Sequence, residues 1–354
     1  MDVSQALATG TPFEATAQGI IHRPELTDPH RGGHPDAVAV VRTSGSTGTP
    51  KQTLLTATAL RASAEATAQR IGGQGQWLLA VDTQYVAGLA VVSRSVHAGT
   101  TPEVIDPGFS AAEFIAATGR LDHEFTAVSF VPTQLTRLLT DDDAIAALQS
   151  YSAILVGGSA IPEHITQAAA NYDLKLFKTY GMSETCGGCV YNGTPLPGVT
   201  VDTVAHNGVD RLRITGPMVA AGYFDDPDLT AAHFIDGSFL TDDYGSVDEV
   251  VRVAGRLDDV INTGGIKVSA AQVQGVLQQH VPTAFVTGVP DAEWGQRISA
   301  VITGDTPQDV LENAVRTTLG APAVPKMWLR LDTLPMLDNG KPDRVTLTTW
   351  LAKE

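Results

Sequence analysis

Hydrophobic positions in the first half of the chain alternate between short apolar runs and segments with helical spacing. The run AVAVVRT at residues 37–43 predicts a buried strand, and residues 56–71 predict a helix, so we expect strand, loop and helix in that order. Further apolar runs predict strands at 77–82, 101–106, 125–132, 151–159 and 173–181, with helices at 110–118 and 162–170. This alternation predicts a mostly parallel sheet covered by helices, with ligands at the carboxyl ends of its strands.

The pattern changes near residue 198, where polar and apolar residues alternate with a period of two and predict antiparallel strands. After residues 255–259 the sequence predicts a compact tail with helices at 269–279 and 307–318 and strands at 283–288 and 297–302. We place a domain boundary near 256–258. The predicted fold class is α/β, with a large N-terminal domain of layered sheets and helices, residues 1–256, and a small α+β C-terminal domain, residues 257–354.

Composition narrows the classes of function. The 354 residues carry a formal net charge of −16, which repels nucleic acids and anionic membranes and favours small-molecule partners. No long apolar run predicts a membrane span, and the N-terminus lacks the pattern of a secretory signal, so we expect a cytoplasmic protein. Cys186 and Cys189 have the spacing C-x-x-C without a second pair, which favours small packing residues over a metal or redox site.

The stretch TSGSTGTPK at residues 43–51 is rich in glycine and hydroxyl side chains. It lacks the order G-x-x-x-x-G-K-[ST], because Pro50 replaces the second glycine and Gln52 follows Lys51. Glycine permits turns in which backbone N–H groups surround phosphate oxygens, and the N-terminus of the expected helix would add positive charge. A solvated surface loop has a similar composition, so this stretch alone leaves both interpretations open.

Residues 178–188 place Tyr180, Ser183 and Glu184 close together. An aromatic ring for a base, a hydroxyl for a phosphate and a carboxylate for Mg²⁺ form a coherent set for a nucleoside triphosphate, although Glu184 alone could cap a turn. The acids of residues 241–245 could accept hydrogen bonds from a ribose or be solvated turn residues. Lys341 follows an Asn-Gly turn and would by itself be interpreted as a surface charge.

Taken together and in this order, five motifs resemble those of the adenylate-forming superfamily, which includes acyl-CoA synthetases, luciferases and the adenylation domains of peptide synthetases. The resemblance extends from about residue 40 to the C-terminus. The nucleotide-binding residues that it implies are Thr43, Ser44, Gly45, Ser46, Thr47, Gly48 and Lys51 at the β and γ phosphates, Gly157, Gly158 and Ser159 beside the adenine, Tyr180 on the base with its neighbours Gly181 and Met182, Asp243 at the ribose, and Arg256 at the ribose or a phosphate.

The same resemblance implies the catalytic groups: Ser183 by the α-phosphate, Glu184 on Mg²⁺ and Lys341 as the catalytic lysine. A carboxylate attacks the α-phosphorus of ATP and releases pyrophosphate, and a thiol then attacks the acyl carbonyl and releases AMP. Because one lysine cannot serve the first step and stay clear of the thiol, the family rotates its C-terminal domain about a hinge, here Asp258. Gly264, Gly265 and Lys267 would border the tunnel for coenzyme A. Asp242 departs from the family's glycine in T-G-D.

Residues 85–100 and 129–139 resemble the o-succinylbenzoate–CoA ligases of menaquinone biosynthesis, especially compact bacterial forms. Tyr85 stands where many of those enzymes have His. Arg94 is the candidate cation for the carboxylate that does not react, and an exposed helix residue is the alternative. Thr133 and Gln134 are the other candidates for the acid pocket. The segment before the phosphate loop is short for the family and implies a reduced N-terminal domain.

We therefore expect an ATP-dependent acid–CoA ligase that uses Mg²⁺, with o-succinylbenzoate as the acid. The alternatives are a CoA ligase for another aryl or small carboxylic acid, a stand-alone adenylation domain that loads a carrier protein, and an inactive adenylate sensor, which Glu184 and Lys341 speak against. Expected partners are ATP, CoA and the small acid, with no nucleic acid and no membrane; a homodimer is left open.

The substitution Lys341→Ala tests the implied role of the lysine. We expect it to abolish adenylate formation and to leave thioester formation from a preformed acyl-adenylate largely intact, because the lysine stabilises charge only in the first step. Pyrophosphate release and single-turnover thioester formation measure the two steps separately. Equal loss of both steps would contradict the two-conformation assignment, in which the lysine serves only the first step.

Overall fold

A computed structural model describes residues 2–43, 51–206, 209–336 and 342–353 of the chain. The helices are α1 Val3–Thr9, α2 Ala57–Ile71, α3 Val86–Ala98, α4 Ala111–Thr118, α5 Pro132–Leu138, α6 Asp142–Gln149, α7 Glu163–Asn171, α8 Pro227–His233, α9 Ala270–Leu277, α10 Gln308–Leu319 and α11 Arg344–Leu351. Short 3₁₀ turns lie at Pro24–Thr27, Pro29–Arg31, Ser183–Thr185, Leu257–Asp259 and Ala321–Ala323. None of the helices in these described ranges is long and apolar enough to cross a membrane.

The strands form four sheets. They are β1 Phe13–Thr16, β2 Gly19–His22, β3 Ala37–Thr43, β4 Lys51–Thr56, β5 Gln76–Leu79, β6 Glu103–Val104, β7 Thr126–Phe130, β8 Ala153–Val156, β9 Leu176–Met182, β10 Gly187–Tyr191, β11 Thr194–Pro195, β12 Thr200–His206, β13 Val209–Thr215, β14 Gly222–Tyr223, β15 Phe234–Ile235, β16 Ser238–Val247, β17 Val251–Arg256, β18 Val260–Thr263, β19 Ile266–Ser269, β20 Ala284–Asp291, β21 Gly295–Ile302 and β22 Met327–Arg330. The sheet orders are β14-β4-β3-β1-β2, β11-β10-β9-β8-β7-β5-β6, β12-β13-β16-β15 with β17 beside β16, and β19-β18-β21-β20 with β22 beside β21.

The chain divides into two compact units. The first comprises Met1–Asp202, Arg213–Thr241 and Asp248–Val251, and the second comprises Thr203–Leu212, Asp242–Val247 and Arg252–Glu354. The second unit thus includes short segments that precede residue 257. The domain ranges 1–256 and 257–354 stay a prediction.

The second sheet confirms the expectation of a mostly parallel sheet, since its neighbours from β9 to β6 run parallel. All residues of β8 are buried, and Phe114 and Phe130 pack edge to face in the adjoining core with ring centroids 5.8 Å apart. Because β8 and β9 run side by side in the same direction, their carboxyl ends meet at one edge. The segments beginning at Gly157 and Ser183 follow these two ends.

The segment after the phosphate loop is a strand, and the expectation of a helix directly after the loop is wrong. β4 pairs antiparallel with β3, with Thr43 opposite Lys51, and α2 begins only at Ala57. The reason is burial: Leu54 and Leu55 are almost fully buried within the sheet, which a solvated helix entry would not allow. The N-terminus of α2 is therefore separated from the loop by a whole strand.

An ion cluster around the buried Glu14 ties the loop end of this hairpin to β1. Glu14 is 6% exposed and accepts hydrogen bonds from both Arg23 and Arg42. Gln52 in β4 accepts a further bond from Arg23 Nη2 at 3.3 Å. The hydrogen bond with Glu14 raises the pKa of Arg42. Because a buried carboxylate is costly unless it is paired, this cluster holds three strands in register beside the loop.

The second unit has its own sheet and core. β20 and β21 form a long antiparallel pair, and β18 joins the other edge of β21. Helices α9 and α10 cover this sheet, and Val273, Leu277, Leu311 and Val315 are almost fully buried beneath them.

A substitution at Phe114 tests the close packing of the core beside the parallel sheet. It is fully buried and stacks on Tyr151 with ring centroids 5.9 Å apart. We expect Phe114→Ala to lower the free energy of unfolding by about 3–5 kcal/mol, through lost burial and a residual cavity. Urea unfolding followed by circular dichroism measures this loss. The control Val104→Ala, at a side chain that is 61% exposed, should change it by less than about 0.5 kcal/mol; similar losses from both would contradict the close packing.

Candidate active site

Two neighbouring strands of the parallel sheet end beside each other in the first unit. A Cβ atom at Gly157, directly after β8, would lie 2.2 Å from Thr179 Oγ1 of β9, so only glycine fits there. Gly158 has a left-handed φ of 83°, and Ser159 is exposed. The segment predicted to line the adenine therefore lies next to the strand that carries Tyr180.

The backbones of β9 and β10 approach very closely. Gly181 stands opposite Gly188, and Met182 stands opposite Gly187. A Cβ atom at Gly181 would lie 2.1 Å from the Gly187 carbonyl oxygen. Tyr180 is half-buried and pairs with Val190 beyond a shift in the strand register.

The turn between these strands holds Ser183 and Glu184, which are 5% and 8% exposed. Thr185 Oγ1 accepts a bond from the Met182 N–H at 3.0 Å and donates one to the Gly187 carbonyl at 2.7 Å. Cys186 ends the turn with a left-handed φ of 52°, and burial raises the pKa of its thiol. A raised pKa disfavours the thiolate, so this cysteine is suited to packing rather than to nucleophilic chemistry.

Glu184 is held by a residue that the sequence analysis missed. The Tyr223 hydroxyl donates to Glu184 Oε1 at 2.7 Å, and the Ala220 N–H donates to the Glu184 carbonyl at 2.9 Å. Lys51 Nζ lies 5.4 Å from the centroid of the Tyr223 ring. A tyrosine in the segment GYFDDP carries no sequence signal for this role; only the pairing of β14 with β4 brings it here.

The oxygen atoms at Glu184 fit a magnesium ion bound together with ATP. Mg²⁺ takes oxygen ligands and is commonly held by one or two carboxylates with substrate phosphates and water. Among the described residues Glu184 Oε2 has no hydrogen-bond partner, and Thr53 Oγ1 is buried without one in β4, which packs against this turn. The part of the chain that the structure describes contains no group of three or more His, Cys, Asp or Glu residues placed to hold a metal.

Arg94 is buried, and the alternative of an exposed helix residue is wrong. Its side chain is 7% exposed, its guanidinium lies 5.0 Å from the Trp77 ring, and its Nη2 donates to Tyr191 Oη at 3.3 Å. Nη2 would lie 3.9 Å from a Cβ atom placed on Gly187. No carboxylate among the described residues pairs with Arg94, and its Nε is buried without a partner. Beside Trp77 and His97 is a cavity of about 10 Å³, which is room for roughly one water.

The other candidates for the acid pocket differ in their surroundings. Tyr85 is the half-buried residue before α3, and Thr133 is exposed in the first turn of α5. Gln134 is 6% exposed, and its amide donates to the carbonyls of Ala80 at 2.7 Å and Pro107 at 3.0 Å. These bonds occupy both amide hydrogens, and its side-chain oxygen accepts a bond from the Val131 N–H at 3.0 Å, so Gln134 braces the ends of the strands and the start of α5.

In the second unit the structure brings together residues that were predicted separately for the ribose and the hinge. Arg256 donates to Asp243 Oδ1 at 3.3 Å and to Asp258 Oδ1 at 3.0 Å, and Asp242, which lies 3.9 Å away, also pairs with Arg211 at 3.2 Å. Burial alone would lower the pKa of Arg256, but the hydrogen bond and charge of Asp258 and the charges of Asp243 and Asp242 raise it. The roles of these residues stay predictions.

The pair Gly264 and Gly265 forms the tip of the β18–β19 hairpin. Their φ values of 59° and 80° are left-handed, as a two-residue hairpin turn requires. A Cβ atom at Gly264 would lie 3.0 Å from the Trp294 ring, and Lys267 is exposed on β19. The predicted contacts with coenzyme A are not tested by this geometry.

Two predicted segments lie outside the described residues: Ser44, Gly45, Ser46, Thr47 and Gly48 of the phosphate loop, and Lys341. Their flanks are paired. Thr43 stands opposite Lys51, and Met336 bridges to Pro342 while the Asp343 N–H donates to the Pro335 carbonyl at 2.9 Å.

Comparison with known proteins shows the family to which the chain belongs. The family model of the AMP-binding enzyme matches residues 4–224, which is more than half of the chain, and that of the AMP-binding enzyme C-terminal domain matches residues 276–341. The chain belongs to the AMP-binding enzyme family. The resemblance inferred from the motifs and the α/β fold class with its small C-terminal domain are thereby confirmed.

Three similar proteins share an activity in their names. A "Probable 2-succinylbenzoate–CoA ligase" of Mycobacterium tuberculosis is 41% identical over 90% of this chain and 86% of its own length, and the 2-succinylbenzoate–CoA ligase of Escherichia coli is 31% identical over 88% and 68%. The o-succinylbenzoate CoA synthetase of Bacillus subtilis, solved with its acyl-adenylate intermediate, has a TM-score of 0.77 and 27% identity over 88% of this chain and 69% of its own. It was also solved with ATP and a magnesium ion.

Gly181 tests the close approach of β9 and β10. We expect Gly181→Ala to lower the free energy of unfolding by about 1–3 kcal/mol and to weaken AMP binding, because the new methyl group meets backbone that cannot move without shifting Ser183 and Glu184. Thermal unfolding and calorimetric titration with AMP measure the two effects. The control Gly119→Ala places its Cβ atom 3.6 Å from its neighbours and should change neither. Unchanged AMP binding in Gly181→Ala would contradict the placement of the nucleotide site beside the β9–β10 pair.

Proposed function

We propose that this chain is an ATP-dependent ligase that joins 2-succinylbenzoate to coenzyme A in menaquinone biosynthesis. The observation that carries the substrate assignment is Arg94, a buried cation without a carboxylate partner among the described residues, beside the strand pair that bears the nucleotide motif. The shared activity of the relatives supports the same assignment. A cytoplasmic location and small-molecule partners follow from this role.

The reaction proceeds in two steps, adenylation of the acid and transfer of the acyl group to coenzyme A. One carboxylate oxygen of the acid attacks the α-phosphorus of ATP, the bond to the β-phosphate oxygen breaks, and pyrophosphate leaves. The sulfur of coenzyme A then attacks the acyl carbonyl, the thiol proton is lost and AMP leaves. Adenylation converts a poor leaving group into a good one, so the second step becomes feasible.

The first unit supplies the nucleotide and metal contacts in this proposal. Residues 43–51 bind the β and γ phosphates, Ser183 contacts the α-phosphate, and the ring of Tyr180 packs on the adenine next to residues 157–159. Glu184 would hold Mg²⁺, which would supply positive charge against the charge that develops on the phosphate oxygens. The β9–β10 pair and its hydrogen-bonded turn hold Ser183 and Glu184 in place before ATP binds.

The remaining residues of the proposal lie in the second unit. Asp243 and Arg256 bind the ribose, and their mutual hydrogen bond at 3.3 Å keeps both side chains in place. Lys341 stabilises the phosphate charge in the first step, and Asp258 is the hinge residue between domains 1–256 and 257–354. Gly264, Gly265 and Lys267 contact coenzyme A during thioester formation.

Arg94 selects a dicarboxylate in this proposal. A buried guanidinium without a counter-ion is costly, so a ligand that brings a carboxylate gains from the cation already present. The Nη2 side of Arg94 faces Gly187, and Gly187 stands opposite Met182 of the nucleotide motif. One carboxylate of the acid would pair there while the other reacts with ATP, and Tyr85, Thr133 and Gln134 are the other residues proposed to line the pocket.

Pyrophosphate release with ATP, Mg²⁺ and a panel of acids tests the proposed function. We expect turnover that depends on coenzyme A with 2-succinylbenzoate and much less with benzoate, phenylacetate or malonate. Turnover with another acid would retain the adenylating chemistry and reject the substrate. Pyrophosphate exchange without acyl transfer to free coenzyme A would favour loading of a carrier protein, and no reaction with any acid would favour an adenylate sensor.

The substitution Arg94→Ala tests the dicarboxylate contact. We expect the KM for 2-succinylbenzoate to rise about 10-fold to 100-fold, the equivalent of one lost charged hydrogen bond of about 1.5–3 kcal/mol, with a smaller change for monocarboxylic acids. Steady-state kinetics measure both, and Arg94→Met separates charge from volume. Arg61→Ala removes an exposed positive charge from α2 and should leave both KM values unchanged. An equal rise for both classes of acid would remove Arg94 from the pocket.

A further inference from the structure

We propose that Tyr223 positions Glu184 for magnesium through its hydroxyl, while its ring contacts Lys51 at the end of the phosphate loop. This inference rests on the proposed ATP-dependent function. It assigns a role to a residue far from every nucleotide motif in the sequence, since Tyr223 follows Glu184 by 39 positions.

Strand register places Tyr223 and Lys51 on one face of the first sheet. Tyr223 stands directly opposite Thr53 in the antiparallel pair of β14 and β4, and paired residues share a face of a sheet. Lys51 precedes Thr53 by two positions in the same strand and therefore shares that face. The hydroxyl of Tyr223 reaches Glu184 Oε1 from this face at 2.7 Å, and Lys51 Nζ lies 5.4 Å from its ring centroid.

Tyr223 is itself firmly held, as a positioning residue must be. It is 2% exposed, and its N–H donates to Thr230 Oγ1 at 2.9 Å. The Phe234 ring packs edge-on against its ring with centroids 5.2 Å apart. Because neither its backbone nor its ring can move freely, the hydroxyl can fix which oxygen of Glu184 is turned away from it.

The two oxygens of the Glu184 carboxylate have different roles in this arrangement. A phenol has one proton to donate, and Oε1 accepts it, which leaves Oε2 as the oxygen without a partner among the described residues. Hydrogen bonds to a metal-ligating carboxylate fix its orientation, and their loss commonly weakens metal binding by about 10-fold to 100-fold. The ring contributes separately, because its face attracts the Lys51 ammonium with or without the hydroxyl.

This separation makes Tyr223→Phe an informative variant. It removes the bond to Glu184 and keeps the ring under Lys51. We expect Mg²⁺, titrated calorimetrically into protein saturated with ATP, to bind about 10-fold more weakly, while ATP binding in EDTA stays within about twofold of the wild type. The matched control is Tyr151→Phe, which also loses a buried hydroxyl bond, to Thr118 at 2.9 Å, and should change neither quantity.

Two outcomes with Tyr223→Phe would overturn the inference. The first is unchanged Mg²⁺ binding. The second is an equal loss of Mg²⁺ binding and of metal-free ATP binding, which general destabilisation would produce. In a double-mutant cycle, Tyr223→Phe should add no further loss of Mg²⁺ affinity to Glu184→Gln, since the hydroxyl acts through that carboxylate; additive losses would count against it. Wild-type protein that binds no ATP would overturn the proposed function as well, whereas normal MgATP binding with an unaffected Tyr223→Phe would overturn this inference alone.

A second measurement serves if Tyr223→Phe does not fold. Adding Mg²⁺ to the wild-type ATP complex should perturb the ultraviolet absorption of a tyrosine, because the metal draws charge from the carboxylate that the hydroxyl contacts. Glu184→Gln should abolish this difference spectrum. A wild-type complex that binds Mg²⁺ without any tyrosine signal, or a signal that persists in Glu184→Gln, would contradict the coupling.

Discussion

The close contact between β9 and β10 is the constraint on which the candidate site depends. Gly181 approaches the Gly187 carbonyl so closely that no Cβ atom fits between them, and the intervening turn is closed by Thr185. This contact holds the nucleotide motif on one strand and presents Gly187 to Arg94 on the other. A single backbone approach therefore sets the distance between the expected adenylate site and the expected acid pocket.

In the first unit, the buried carboxylates have hydrogen-bond donors beside them, whereas the buried cation Arg94 has no carboxylate partner among the described residues. Glu14 is buried between two guanidinium groups, and Glu184 accepts a bond from Tyr223, so each buried carboxylate has a donor suited to it. Arg94 has aromatic and hydroxyl neighbours but no carboxylate among the described residues. Since an uncompensated buried charge is costly, Arg94 is the position at which a ligand has most to contribute.

Local patterns predicted single elements well where periodicity and burial agree. Residues 37–43 form the expected strand with the expected bounds, and the helices expected at 110–118 and 307–318 begin and end within one residue of α4 and α10. The prediction failed for residues 51–56, since the helical spacing that follows them concealed a strand whose pairing with β3 lies across the phosphate loop. The place of Gln134 in the acid pocket stays a prediction; what its position in the sequence could not show is that its amide donates to two carbonyls from other segments.

The sequence by itself determined the family, the alternation of strands and helices along the chain that builds the parallel sheet, and the residue types available for nucleotide chemistry, because motifs and periodicity are local properties of the chain. Only the tertiary structure decided which side chains meet. Arg94 contacts a tyrosine 97 positions away, and Glu184 contacts Tyr223 from a different sheet. These contacts arise from strand pairing and from the need to give a buried charge a hydrogen-bond or ionic partner. The spacing of nearby residues in the sequence predicts neither the pairing nor the partner.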